Sequence, residues 1–359
     1  MTAVPTLAQA WPMPSQPRPI VLIGAGGIVN DAHMPAYRAA GFEIAGVFDI
    51  DAARAGQLAQ RWQIGTVFET VDAALAQRDC VFDVAAPADA HEGIIARLPQ
   101  GAPVLLQKPF GLDLEHASRL LALCHARELK AAVNFQLRFA PMMLAVRDAL
   151  KQGLLGELVD VEVHLNLATP WHLFPHLKAN RRVEIVSHSI HYLDLIRGML
   201  GEPSGVLARS YTYPGSGLAD TRTSAILDFG PSLRCTLSLN HHHDFGPRFQ
   251  DASFRFEGER GVALVKLGVL LDYPAGEADE LWFCPRGGEW LQIPLKGGWF
   301  PHAFIGTMAN LQRFANGEDA QLVSSVDDAW RTMALVEACY RSAAEPATPL
   351  PAKPEPSSL

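Results

Sequence analysis

Along the first third of the chain, short apolar runs rich in β-branched residues alternate with stretches of helical spacing. PIVLIGAG (19–26), EIAGVFDI (43–50), CVFDVAAP (80–87), PVLLQKPF (103–110) and KAAVNFQLRF (130–139) read as strands. Helices are predicted from Asp31, over Ala52–Trp62, near Glu115–Arg127 and near Pro141–Gln152. Strands that alternate with helices predict a parallel sheet, since each helical crossover returns the chain to the same end of the sheet. After Gly156 the rhythm changes. LVDVEVHLNLA, GVLARSYTY, TRTSAILDFG, LRCTLSLNHH, DASFRFEG and GVALVKLG follow one another with little helix between them, as in a mostly antiparallel sheet. One helical insertion at about 183–200 interrupts this run, and helices at about 301–315 and 325–343 close the chain. The ends, 1–18 and 346–359, are Pro-rich and weakly patterned, and are expected to be extended arms rather than packed elements.

Composition narrows the function. With 359 residues, 48% of them hydrophobic, the chain can bury two cores. A formal charge of -8 and the lack of long Lys/Arg runs argue against a nucleic-acid or anionic-membrane partner and favour a small molecule. No apolar run spans a bilayer and no secretory signal pattern opens the sequence, so the expected location is the cytoplasm. The five cysteines show neither a CxxC pair nor zinc spacing and read as reduced packing residues. Histidines are frequent in the second half, but no H-x-x-x-H pair or carboxylate triad stands at ligand spacing, so no metal is expected. The run His241-His242-His243-Asp244 reads as a strand leading into a polar loop, with at most one side chain directed into a site.

The sharpest chemical signal is Gly24-Ala25-Gly26-Gly27-Ile28-Val29, placed after an apolar strand and before a helix. Glycines there let the backbone approach a pyrophosphate, whose charge sits against the amides of the helix N-terminus. Val29 replaces the third glycine of the G-x-G-x-x-G fingerprint, which predicts looser helix-strand packing. Asp49 ends the next strand, where a carboxylate accepts from both ribose hydroxyls of the adenosine and repels a 2'-phosphate, favouring NAD over NADP. Arg54 is close in sequence and works against that preference.

Three further patches occur in order. Ala86-Pro87-Ala88-Asp89-Ala90-His91 is similar to a T-P-N-x-x-H turn, Gln107-Lys108-Pro109 to E-K-P, and His188-Ser189-Ile190-His191-Tyr192-Leu193-Asp194 to D-x-G-x-H-x-x-D. Asn134-Phe135-Gln136-Leu137-Arg138-Phe139, with Pro141, is similar to an aromatic-x-x-R-F-x-P stretch. On these motifs the chain resembles, from about 18 to 345, the Gfo/Idh/MocA family of glucose-fructose oxidoreductase and inositol dehydrogenase relatives.

The resemblance implies an α/β protein: an extended arm (1–18), a Rossmann domain with a doubly wound parallel sheet that binds NAD (19–140), a C-terminal α/β domain with a large, mostly antiparallel open sheet for substrate and oligomer contacts (141–345), and a Pro-rich tail (346–359). It implies homo-oligomers through that sheet. Lys108 and His191 are the implied catalytic pair, while Ile50, Pro87, His91, Gln107, Lys108 and Gln136 join the glycine loop and Asp49 around the cofactor. A lysine with its pKa lowered by burial and by NAD+ accepts a hydroxyl proton near neutral pH, and histidine is its natural partner or alternate base. Many members carry an aspartate where this chain has Ser187, and glutamate where it has Gln107, so the base stays open between Lys108 and His191. Trp171, His172, His188, Trp299 and His302, with Gln136, Ser187 and His191, are the expected sugar pocket, aromatic faces stacking on C–H groups and imidazoles bonding hydroxyls. The expected reaction is NAD-dependent oxidation of a secondary hydroxyl of a sugar, glycoside or cyclitol, at a ring carbon such as C3 or at C1. Reduction of a keto-sugar or other carbonyl, and a non-catalytic NAD- and sugar-binding regulator, are the alternatives.

Overall fold

The computed structural model describes residues 4–173, 175–271 and 276–351. Among them, β1 (Ile20–Ile23), β2 (Ile44–Phe48), β3 (Val81–Val84), β4 (Pro103–Leu106) and β5 (Lys130–Val133) form an all-parallel sheet in the order β2-β1-β3-β4-β5. Every residue of β1, β3 and β4 is buried, as a sheet covered on both faces requires. Alternate residues of β1 feed different cores. Val21 and Ile23 pack with Leu120 and Cys124 of α5 (Leu114–Ala126), whereas Ile20 and Leu22 pack with Tyr37 of α1 (Met34–Ala40) and Leu58 of α2 (Ala52–Trp62). Phe304, Met308 and Leu311 of the late helix at His302–Ala315 complete this second core, so the chain returns to its first sheet after building the other.

The other sheet, among the described residues, has the order β13-β12-β11-β10-β6-β9-β8-β7. Its strands are β6 (Leu158–Asn166), β7 (Gly205–Tyr211), β8 (Arg222–Asp228), β9 (Arg234–Asn240), β10 (Asp251–Gly258), β11 (Gly261–Lys266), β12 (Glu280–Pro285) and β13 (Leu291–Gln292). All its pairs are antiparallel except β6 with β9. Strict alternation turns Val161, Val163, Leu237, Leu239, Phe254 and Phe256 inward, against α6 (Pro141–Lys151) and α7 (Ile190–Leu200). The long helix Val326–Ala344 follows.

Local departures from the sequence pattern fall near the cleft. The helix expected from Asp31 opens with one wide π turn, Val29–His33. The strand at 130–139 stops at Val133, and Gln136–Phe139 curl into a 3-10 turn. The insertion at 183–200 is a second π turn, Ile185–Ser189, that runs into α7. Two short helices, α3 (Val71–Leu75) and α4 (His91–Ile95), and the strands β12 and β13 carry too few periodic positions to stand out in the sequence.

The N-terminal arm is extended as expected but is packed, which corrects the expectation of a loose segment. Trp11 donates its indole N–H to Asp319 at 2.9 Å and meets the Phe139 ring edge-on at 5.2 Å, while the Arg18 amide donates to Gln312 at 2.7 Å. The large apolar ring and the chain's own carboxylates supply the anchoring. Residues 1–3 and 352–359 lie outside the described residues.

One buried ion pair joins the two halves. Arg138, in the turn after β5, grips Asp194 of α7 through two bonds of 2.5 and 2.6 Å, and both residues are almost fully buried. The guanidinium also reaches Asp328 at 2.6 Å and the Val323 carbonyl at 3.1 Å. Gly198 makes this possible, because a Cβ there would stand 2.7 Å from the guanidinium carbon. Gly198→Ala raises intrinsic helix propensity by about 1 kcal/mol, yet displaces a pinned guanidinium. We expect a net loss of about 2 kcal/mol, read as a lower urea midpoint at unchanged slope; a stabilised variant would refute the clamp.

Candidate active site

The loop after β1 is shaped for a close backbone approach. Gly24 has φ +111°, and a Cβ on it would lie 2.6 Å from the Ala85 carbonyl oxygen. Gly24, Gly26, Gly27 and Ile28 line a cleft of about 2050 Å³ between the two sheets, and nothing lies within 4 Å of where a Gly26 Cβ would project. Val29, counted with the cofactor loop from sequence, does not face this cleft. It is fully buried in the core beneath, where the wide π turn leaves room for a branched side chain in place of glycine.

Asp49 does face the cleft. Its carboxylate accepts from the Ala25 amide at 2.7 Å and the Asp51 amide at 2.8 Å, and each oxygen retains a lone pair for a ribose hydroxyl. The N-cap of α2 is Asp51, which accepts from Ala53 and Arg54 amides, so Asp49 is not held there as a helix cap. Ile50 projects beside it, 95% exposed, and Pro87 lines the same wall. His91 is corrected: it is fully buried under the 86–90 turn with Nε2 3.1 Å from the Ala86 carbonyl, and burial pushes its imidazole down to about 4. It braces the turn without reaching the cleft.

Gln107 and Lys108 leave β4 at the floor of the cleft. The Gln107 side-chain oxygen accepts from the Lys108 amide at 2.9 Å, and its NH2 lies 3.3 Å from His33 Nε2. His33 Nδ1 is 2.7 Å from Asp83, which also accepts from the Tyr37 hydroxyl at 2.7 Å. The Lys108 ammonium donates to the backbone carbonyl of Ser187 at 2.6 Å, and burial pushes it down to about 8. His191, in the first turn of α7, is buried, and that burial, with Lys108 nearby, holds its imidazole well below the usual histidine range. It therefore stands neutral at pH 7. Several cleft-lining residues carry buried polar atoms with no hydrogen-bond partner among the described residues, including His191 Nδ1, Gln136 Oε1 and Trp299 Nε1. The His191 and Trp299 rings lie 5.9 Å apart. Ser187 and His188 complete this wall.

The remaining expected pocket residues lie off it. Trp171 packs edge-on against His188 at 5.2 Å and spends its indole N–H on the His241 carbonyl at 2.9 Å, so it buttresses the wall from behind. His172 is exposed on a short 3-10 turn, and His302 accepts from the Gly298 amide at 3.2 Å, closing the turn that carries Trp299. Both corrections have one cause: neighbouring positions on a tight turn point in different directions. Of the run at 241–243 only His241 lines the cleft; His242 stacks on Tyr213 at 3.9 Å. Thr169, Arg181, Arg182 and Trp330 also line it, and Glu184 lies buried behind it. Sequence reasoning missed these; the one available signal was an acidic residue three positions before Ser187.

Among the described residues no group of three His, Cys, Asp or Glu is placed to hold a metal ion, and no helix is long and apolar enough to cross a membrane.

Comparison with known proteins agrees with this geometry. Residues 18–135 match the oxidoreductase family model with an NAD-binding Rossmann fold, and residues 143–264 match the Gfo/Idh/MocA C-terminal domain. A D-apiose dehydrogenase of Paraburkholderia graminis is 26% identical over 90% of this chain and 87% of its own. An inositol 2-dehydrogenase of Rhizobium meliloti is 26% identical over 90% of this chain and 96% of its own. The fold is shared with an oxidoreductase of Agrobacterium radiobacter solved with NAD+, L-tartaric acid and magnesium: TM-score 0.75 at 21% identity, covering 92% of this chain and 97% of that one. The homologues of this chain are NAD-binding sugar or cyclitol dehydrogenases. By both of its domains the chain belongs to the Gfo/Idh/MocA family of NAD-binding oxidoreductases.

Proposed function

We propose that this enzyme oxidises a secondary hydroxyl of a sugar, glycoside or cyclitol, with Lys108 taking the hydroxyl proton and His191 holding the same oxygen. The observation that carries the reading is that three residues lining one cleft each hold a buried polar atom with no hydrogen-bond partner among the described residues. His191 Nδ1, Gln136 Oε1 and Trp299 Nε1 offer a mixed set of acceptors and a donor, which suits a polyhydroxylated ligand. Leaving such atoms unmet costs about 1–3 kcal/mol each, so a site retains them where a ligand meets them. The names of the relatives, apiose and inositol dehydrogenases, support the same substrate class.

NAD+ supplies the hydride acceptor when bound, held by the glycine loop, with Asp49 on the adenosine ribose. The chain's own residues do the rest. Neutral Lys108, favoured by burial, receives the proton as the C–H bond breaks. The neutral His191 imidazole donates to or accepts from the substrate oxygen without adding a second positive charge beside the ammonium. Ser187 takes part through its carbonyl, which aims Nζ.

Because the Lys108 amine must be deprotonated and its pKa is lowered to about 8, oxidation should rise with pH through that value and level off above it. At about pH 9, Lys108→Ala should lower kcat at least tenfold, as loss of a general base does, while NAD+ affinity by fluorescence titration changes little. A Lys108→Ala enzyme with full turnover on a panel of polyols, followed as NADH absorbance, would overturn the assignment. Asp49→Ala should weaken NAD+ binding at least tenfold and reduce the preference for NAD+ over NADP+, since it removes two charge-assisted ribose bonds and a charge that repels phosphate. Equal Kd values for the two cofactors in the wild-type chain would count against that role.

A further inference from the structure

The cleft wall holds a carboxylate that the scheme above leaves unused. Glu184 is fully buried and accepts hydrogen bonds from the hydroxyls of Ser189 and Thr223. Its Oε1 stands 3.4 Å from Nε2 of His241, a buried nitrogen that makes no hydrogen bond among the described residues. The other ring nitrogen of His241, Nδ1, is 3.1 Å from the Thr169 hydroxyl. Thr169 and His241 both line the cleft. The facing carboxylate favours a proton on Nε2, which leaves the Nδ1 lone pair to accept from Thr169. The Thr169 oxygen is then left with lone pairs to offer a substrate hydroxyl.

We propose that Thr169, His241 and Glu184 form a proton relay that supplies this site with the carboxylate that position 187, a serine, lacks. The proposal rests on the dehydrogenase reading above. The substrate hydroxyl gives its proton to the Thr169 oxygen as the Thr169 proton moves to His241 Nδ1 and the Nε2 proton passes to Glu184, the 3.4 Å gap between them closing to a hydrogen bond. One proton enters and one is stored on the carboxyl, while the electron pair of the C–H bond leaves with the hydride to NAD+. The relay thus accepts protons where Lys108 is still charged. The surroundings suit such a transfer. Burial, with Asp220 as a further contributor, pushes the Glu184 carboxyl up to about 7, and burial pushes His241 down to about 4, so His241 passes a proton on without keeping it. The groups facing this pair are Asp220, which accepts from the Val183 and Glu184 amides, Tyr340, Tyr192 and Cys339 on the Glu184 side, and His188, with its ring 4.8 Å from His241 and Lys108 and His191 beyond, on the other.

The test combines Glu184→Gln, which keeps volume and hydrogen bonding, with Thr169→Val, which cuts the link at a half-exposed position. In the relay, each variant lowers oxidation about twofold at pH 7 but hardly at about pH 9, where Lys108 suffices, and the double variant loses no more than either single one. Independently of substrate, infrared difference spectra of the wild-type chain show a protonated carboxyl band titrating near pH 7 that Glu184→Gln removes. Nitrogen-15 histidine spectra show His241 in the Nε2–H tautomer. Variants that follow the wild type at both pH values, or a Glu184 carboxyl ionised down to pH 5, overturn the relay while the dehydrogenase reading stands. A wild-type chain that binds NAD+ and oxidises no polyol overturns that reading itself.

Discussion

The active cleft depends on the buried pair between Arg138 and Asp194. Arg138 follows Gln136 by two residues, and Asp194 follows His191 by three, so each partner sits within one turn of a side chain that lines the cleft. Locking guanidinium to carboxylate therefore sets the distance between the nucleotide-binding half and the helix that carries His191. Such a pair adds little net stability against the cost of desolvating both charges, but breaking it leaves an uncompensated charge in the interior. Its value here is positional. Thr332 donates to Asp194 at 2.8 Å and Arg197 bonds Thr332 at 2.9 Å, which extends the same lock to the last helix.

Within that frame, two π turns flank the chemistry, Val29–His33 beside the cofactor loop and Ile185–Ser189 beside Lys108. Each changes which side chains point inward. The first aims His33 under Gln107, and the second presents the Ser187 carbonyl to Lys108 while it turns Glu184 into the interior. The glutamine at 107 makes sense in this light. With Nδ1–H donating to the Asp83 carboxylate, His33 Nε2 offers a lone pair that also faces the Asn134 amide at 3.3 Å. An amide at position 107 donates to it, whereas a carboxylate would oppose it. The cleft floor thus carries no fixed negative charge next to Lys108, and the lysine pKa is governed by burial.

The parallel sheet, the later antiparallel run, the glycine loop and Asp49 were legible from the chain because each rests on local rules: period-two or helical spacing, glycine where φ must be positive, an acidic residue at a strand end. That Lys108 and His191 would share one cleft was legible through motif order. What failed to be legible depends on direction. His91, Trp171, His172 and His302 have suitable chemistry, but tight turns and packing send them into braces and rims. Glu184 and His241 come together from positions 57 residues apart, at the N-cap of a π turn and just past a strand end, which no local pattern predicts.

The sequence by itself determined the secondary-structure rhythm, the glycine loop and the residue types that its motifs carry, because propensity, periodicity and backbone freedom are properties of short segments. Only the tertiary structure decided which imidazoles face the cleft, which polar atoms go unpaired, and which carboxylate stands behind the wall. Those outcomes follow from long-range packing and from the low dielectric that packing creates, and neither exists until the two sheets are docked.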